Sequence, residues 1–118
     1  MPRYYPIYVD VRDKKCVVIG GGDVAYRKAV SLREAGAQVV VISPELTEEF
    51  LKEEGFIILR QEYEQKCLEG AMLVIAATSE QEVNRRVWEE ACRHGLLVNV
   101  VDQPELCNFI VPSVVNRG

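Results

Sequence analysis

Five short apolar runs recur along the chain, KCVVI at 15–19, QVVVI at 38–42, FIIL at 56–59, MLVIA at 72–76 and LLVNV at 96–100. Each is too short for an ordinary helix and is apolar at successive positions, the pattern of a strand covered on both faces of a parallel sheet. Parallel neighbours need crossover connections, and the intervening stretches carry them. Between the first two runs, Ala25, Ala29, Leu32 and Ala35 share one helical face, and Gly36 follows as a C-terminal stop. Further on, Val83, Val87, Trp88 and Ala91 form a second apolar stripe, with Thr78 or Ser79 as N-cap and Glu80 and Glu82 in the first turn. Residues 44–54 and 64–68 supply shorter connections. The chain therefore reads β-α-β-α-β-α-β-α-β, an α/β doubly wound parallel sheet with expected strand order 3-2-1-4-5.

The first strand runs directly into three glycines, CVVIGGGDVAYRKA. Such a run either turns the chain or cradles a phosphate, and its context favours the cradle. Gly20-x-Gly22-x-x-Ala25 matches G-x-G-x-x-G/A after a strand and at the opening of a helix, the Rossmann-type position for a dinucleotide. Gly20 permits the tight turn and Gly22 lets a pyrophosphate approach the backbone. Ala25 is small enough for helix and sheet to pack, and the N–H groups near Asp23 and Val24 are free to receive phosphate oxygens.

A typical NAD-binding unit carries an acidic residue at the end of the second strand, about 20 residues on, to hold the ribose hydroxyls. Here that strand ends Val41-Ile42-Ser43-Pro44-Glu45, so Ser43, the backbone, or Glu45 from a little further along takes that task. No arginine follows to receive a 2′-phosphate, which favours NAD over NADP. Ligands of such sheets bind outside the carboxyl ends of the strands, where the strand order reverses. Ala77 and Thr78, after the fourth strand, are small enough for a ring to lie close. Asp102, just past the fifth, is the candidate general base; the alternative is an aspartate that hydrogen-bonds the turn before Pro104.

The chain's 118 residues, 48% of them apolar, suit one domain spanning 1–118. A net charge of -4, without a dominant Lys/Arg cluster, argues against nucleic acid or a membrane surface as partner. No run approaches the roughly 20 apolar residues of a membrane span, and the first residues lack a signal-peptide core, so a cytoplasmic protein is expected. Cys16, Cys67, Cys92 and Cys107 contain no C-x-x-C pair and only His94 accompanies them, which is not zinc-site spacing. Cys16 on its strand and Cys92 on a helix face read as small core residues, and His94 as a cation at a helix end; no metal site is expected.

These motifs together resemble the dehydrogenase domain of the siroheme synthase family, the precorrin-2 dehydrogenases. The resemblance rests on the entry Tyr5-Pro6-Ile7-Tyr8-Val9, then VVIGGGDVAYRKA, VISPEL, VIAATSEQEVNRRV and NVVDQPELCNFIVPSVVNRG, in family order from about Pro6 to Gly118. It implies NAD-dependent removal of two hydrogens from precorrin-2 to give sirohydrochlorin; some members then insert Fe²⁺. It implies a catalytic role for Asp102, cofactor contacts at the glycine loop with Asp23 and Val24, at Pro44 and Glu45, and at Ala76, Ala77 and Thr78. It also implies a homodimer in the complete protein, whose dimer-forming and helical regions this chain lacks. An anionic tetrapyrrole has Arg85, Arg86, Arg93 and Arg117 as possible steering charges, although such side chains more often line a solvated helix face. A non-catalytic NAD(H)-binding regulatory domain, or a remnant kept for interactions alone, would share the same frame.

Overall fold

All five apolar runs are strands, β1 (Lys15–Ile19), β2 (Gln38–Ile42), β3 (Phe56–Leu59), β4 (Ala71–Ala76) and β5 (Leu97–Val100). The computed structural model describes residues 4–112; Arg117 and the rest of 113–118 lie outside them. The strands form one sheet in the order β3-β2-β1-β4-β5, each pair parallel, with Val18 level with both Val41 and Ile75. This is the Rossmann-type order expected. β1 stands at its centre, so its carboxyl end is the point from which the crossovers run to opposite sides.

Alternation along the strands sends side chains to two cores. Cys16, Val18, Val39, Val41, Leu73 and Ile75 pack with Ala25 and Ala29 of α1 (Asp23–Glu34) and Phe50 of α2 (Glu48–Lys52). Val17, Ile19, Val40, Ile42, Val74 and Val98 face Val87 and Ala91 of α3 (Gln81–Arg93). Alanines at 25 and 29, both fully buried, bring α1 close to the sheet. Phe50 anchors the five-residue α2, its ring edge-on to Tyr26 and Phe56 at 5.2 and 5.6 Å between centroids. Burying one such ring is worth about 1.5–3 kcal/mol, enough to hold a helix too short to persist alone.

Several expectations need correction. The connection from β3 to β4 is a 3-10 turn, Gln65–Leu68, and not an α-helix, because few residues lie between strand and strand. Its shortness has a consequence. Ile57 and Leu59 pair with Val40 and Ile42 and so point to the α3 side, where a full crossover helix would have covered them. They remain 45% and 37% exposed, and β3 is an edge strand that alternates half-buried Phe56 and Ile58 with these exposed residues. Ala35 ends its helix exposed, beyond the stripe it was expected to join. Cys92 is also exposed, whereas Cys16 is fully buried and desolvation pushes its thiol up to about 11. α3 begins at Gln81 with Glu80 in the N-cap position; neither Thr78 nor Ser79 occupies it.

Candidate functional site

Three strand ends meet around the glycines. Gly20 donates its N–H to Ile42 O at 2.9 Å and has φ +133°, a conformation that favours glycine. A Cβ on Gly20 would lie 2.5 Å from Ala77 O, and one on Gly21 only 2.0 Å from Glu45 O. Gly21 O in turn accepts the Thr47 N–H at 2.9 Å. The first two glycines therefore let the loops after β1, β2 and β4 pack directly on one another. Gly21 stood at a variable position of the fingerprint and carried no assigned role; the triple glycine was the signal that pointed to it. Gly21→Ala is expected to destabilise the protein by about 1–3 kcal/mol, because a backbone carbonyl cannot step aside as a side chain can. Chemical denaturation checks this, and an unchanged midpoint would contradict the packing.

The same loops wall a cleft of about 660 Å³. Gly20, Gly22, Asp23 and Val24 line it from the start of α1, Ser43, Pro44 and Glu45 from the end of β2, and Ala77 and Thr78 from the end of β4. Every residue proposed from sequence for the cofactor except Ala76, which is fully buried in the core beneath the end of β4, thus shares one cavity. Gly22 is the N-cap of α1 and offers no capping side chain, so the first-turn N–H groups are left for a ligand. A Cβ on Gly22 would meet nothing within 4 Å. Ser43 is buried and its hydroxyl donates to Glu45 O at 2.6 Å, which folds the turn lying over Gly21.

Residues that sequence reasoning passed over also shape this cleft. Thr47 lines it, and its buried Oγ1 has no hydrogen-bond partner among the described residues. Asn84, 3% exposed on α3, accepts the Thr78 hydroxyl at 2.8 Å and donates from Nδ2 to Thr78 O at 3.1 Å, clamping the loop after β4. Polar Asn84 beside the apolar stripe was the only hint. Tyr63 forms part of the wall, its hydroxyl donating to the Glu90 carboxylate and its ring 5.1 Å beneath the Arg86 guanidinium. Burial first, and the Glu90 bond second, hold the Tyr63 phenol far above its usual range, so it stays protonated.

Asp102 lies on the same carboxyl rim but does not line this cleft. Val101 N–H bonds Ala76 O at 3.0 Å, and Gln103 N–H returns to Val100 O at 3.1 Å, which leaves Asp102 at φ +63° in the turn between them. Its exposed side chain lines a neighbouring depression of about 240 Å³ with Lys28, Asn99 and Ile110. Among the described residues it makes no side-chain hydrogen bond to the turn before Pro104. His94 caps the end of α3 and sits 2.9 Å from Gln65, and Arg85 and Arg93 are exposed on that helix. Among the described residues no three potential ligands converge on a metal position, and no helix is long and apolar enough to cross a membrane.

Comparison with known proteins agrees with this geometry. Residues 7–113 match a family described as NAD(P)-binding. The chain is 52% identical over 116 residues to a siroheme synthase of Methylobacillus flagellatus and 46% identical over 122 residues to one of Nitrosospira multiformis. These alignments take in 96% and 98% of this chain but 25% and 26% of the relatives, so it spans about a quarter of their length. A solved precorrin-2 dehydrogenase, SirC, shares the fold with a TM-score of 0.86 at 24% identity, over 98% of this chain and 58% of that one. The cleft fits a dinucleotide on its own evidence: an uncapped helix start, open space above Gly22 and an unpartnered Thr47 hydroxyl in the wall.

Proposed function

We propose, from the premise that this chain belongs to the NAD(P)-binding family that siroheme synthases share, that it serves the NAD-dependent dehydrogenation of precorrin-2 to sirohydrochlorin. Residues 1–118 form its NAD-binding domain in this reading, within a cytoplasmic homodimer that acts on a small tetrapyrrole and on neither nucleic acid nor membrane. The single observation that carries it is that the predicted cofactor residues, all but the buried Ala76, line one cleft while Asp102 stands on the same rim. NAD, when bound, supplies the acceptor for the hydride that leaves a reduced ring carbon. The chain's own groups do the rest. The N–H groups at Asp23 and Val24 hold the pyrophosphate, and Glu45 accepts from ribose hydroxyls. Ala77 and Thr78, fixed by Asn84, leave room for a flat ring. The Asp102 carboxylate takes the proton that departs with the hydride, completing the loss of two hydrogens. Iron insertion into the product is the finer step that the resemblance adds, with Asp102 receiving protons from pyrrole nitrogens.

Mixing the whole polypeptide with NAD and precorrin-2, and following NADH by absorbance, tests this reading. Turnover supports it. Tight NAD binding without turnover would identify a regulatory binding domain, and absence of both would leave an interaction remnant. In the same assay NAD is expected to bind better than NADP by roughly 1 kcal/mol, since exposed Glu45 repels a 2′-phosphate through screening solvent. Equal NADP affinity would show that a cation elsewhere completes the ribose site.

A further inference from the structure

We infer that the depression beside Asp102 is a subsite for one carboxylate arm of the substrate, with Lys28 as its charge partner; this rests on the dehydrogenase reading above. α1 begins in the cofactor cleft with Asp23 and Val24, and Lys28 follows Val24 by four residues, one turn along the same side of the helix. Lys28 lines the depression with Asp102, so the helix that holds the pyrophosphate at its start presents a cation to the neighbouring hollow.

The ion pairs among the described residues engage Arg12, Arg33, Lys52 and Lys66, and Lys28 takes part in none of them. It is half-buried and shares its hollow with a carboxylate to which it is not bridged, so its positive charge is available to an incoming anion. The rim is apolar where Ile110 and Val111 stand 50% and 40% exposed. Asn99 holds that rim in place by donating from Nδ2 to Phe109 O at 3.0 Å. The cation suits an acidic arm and the apolar edge suits the ring that carries it, which leaves the unpaired Asp102 carboxylate for the ring's departing proton. The hollow's 240 Å³ is below the roughly 300–1,000 Å³ of sites that enclose a drug-sized ligand. It therefore takes one arm and the adjoining ring edge, and the macrocycle continues across the rim toward the cofactor cleft. Lys28 is a positioning residue in this arrangement: by fixing an arm it presents the ring carbon to Asp102.

In the whole polypeptide, Lys28→Met is expected to raise KM for precorrin-2 about 10-fold and to weaken sirohydrochlorin binding in an absorbance titration by a similar factor. Lys28→Arg should recover most of that loss, and Lys28→Glu should deepen it. NAD affinity should stay within about twofold in all three, which separates loss of a substrate contact from loss of fold or cofactor site. The proposal is overturned if KM is unmoved in Lys28→Met and Lys28→Glu, or if NAD affinity falls in step with it. Unaltered protein that oxidises precorrin-2 while the Lys28 variants behave normally leaves the dehydrogenase reading standing and removes only the subsite. Unaltered protein that binds NAD yet neither binds nor oxidises precorrin-2 removes both.

Discussion

In the whole polypeptide, on the dehydrogenase reading proposed above, Asp102→Asn is expected to lower precorrin-2 dehydrogenase turnover by about 100-fold or more, with NAD affinity unchanged. The choice of asparagine follows from the backbone. Asp102 sits at φ +63°, where aspartate and asparagine are both tolerated but alanine is strained by about 1–2 kcal/mol. Asp102→Ala would therefore mix a folding defect with a chemical one, whereas asparagine keeps the shape and the turn and loses only the ability to accept a proton as a carboxylate. Because Asp102 is outside the cofactor cleft, calorimetric NAD titration serves as an internal control. Normal turnover in Asp102→Asn would assign the residue to its turn and send the search for a base elsewhere.

The second large effect is expected at Gly22. Gly22→Asp should weaken NAD binding by about 100-fold or more, placing a carboxylate among the N–H groups that receive the pyrophosphate. The fold should not suffer. Gly22 has φ -91°, ordinary for any residue, and its Cβ would enter open space. As N-cap of α1, an aspartate there can cap the first turn, so thermal stability is expected to hold or to rise by a few tenths of a kcal/mol. Gly21→Ala should do the reverse in kind, with stability falling first. Calorimetry and thermal denaturation of the two variants side by side check the contrast, and unchanged NAD affinity in Gly22→Asp would remove the pyrophosphate from this helix start.

The strands were legible because a sheet buried on both faces demands unbroken apolar runs, and only a few runs in this chain meet that demand. β1, β2 and β3 begin and end where the pattern does, and β4 and β5 differ by one residue at their starts. Exposure at β3 was not legible. Ile57 and Leu59 look like core residues in FIIL and are half-exposed only because the crossover above them is a single 3-10 turn. Cys92 followed the same logic, since neighbouring stripe positions on a helix differ in burial by where the sheet stops.

Local pattern marked the strand order, the glycine fingerprint and most of the residues proposed for the cofactor, because each depends on a strand end, and strand ends are marked in the chain itself. Tertiary structure decided how the loops around those residues pack. That Gly21 must be glycine follows from Glu45 O lying where its Cβ would be, a contact between loops 24 positions apart (45 − 21). That Asn84 clamps Thr78, and that Thr47 holds an unpaired hydroxyl in the wall, depends on α2 and α3 being carried to the same rim by their crossovers. Asp102 shows the division most plainly. Its position after β5 was readable, but its separation from the cleft and its company with Lys28 were not, because both come from how α1 and the segment after β5 pack across the sheet, and no spacing along the chain encodes that distance.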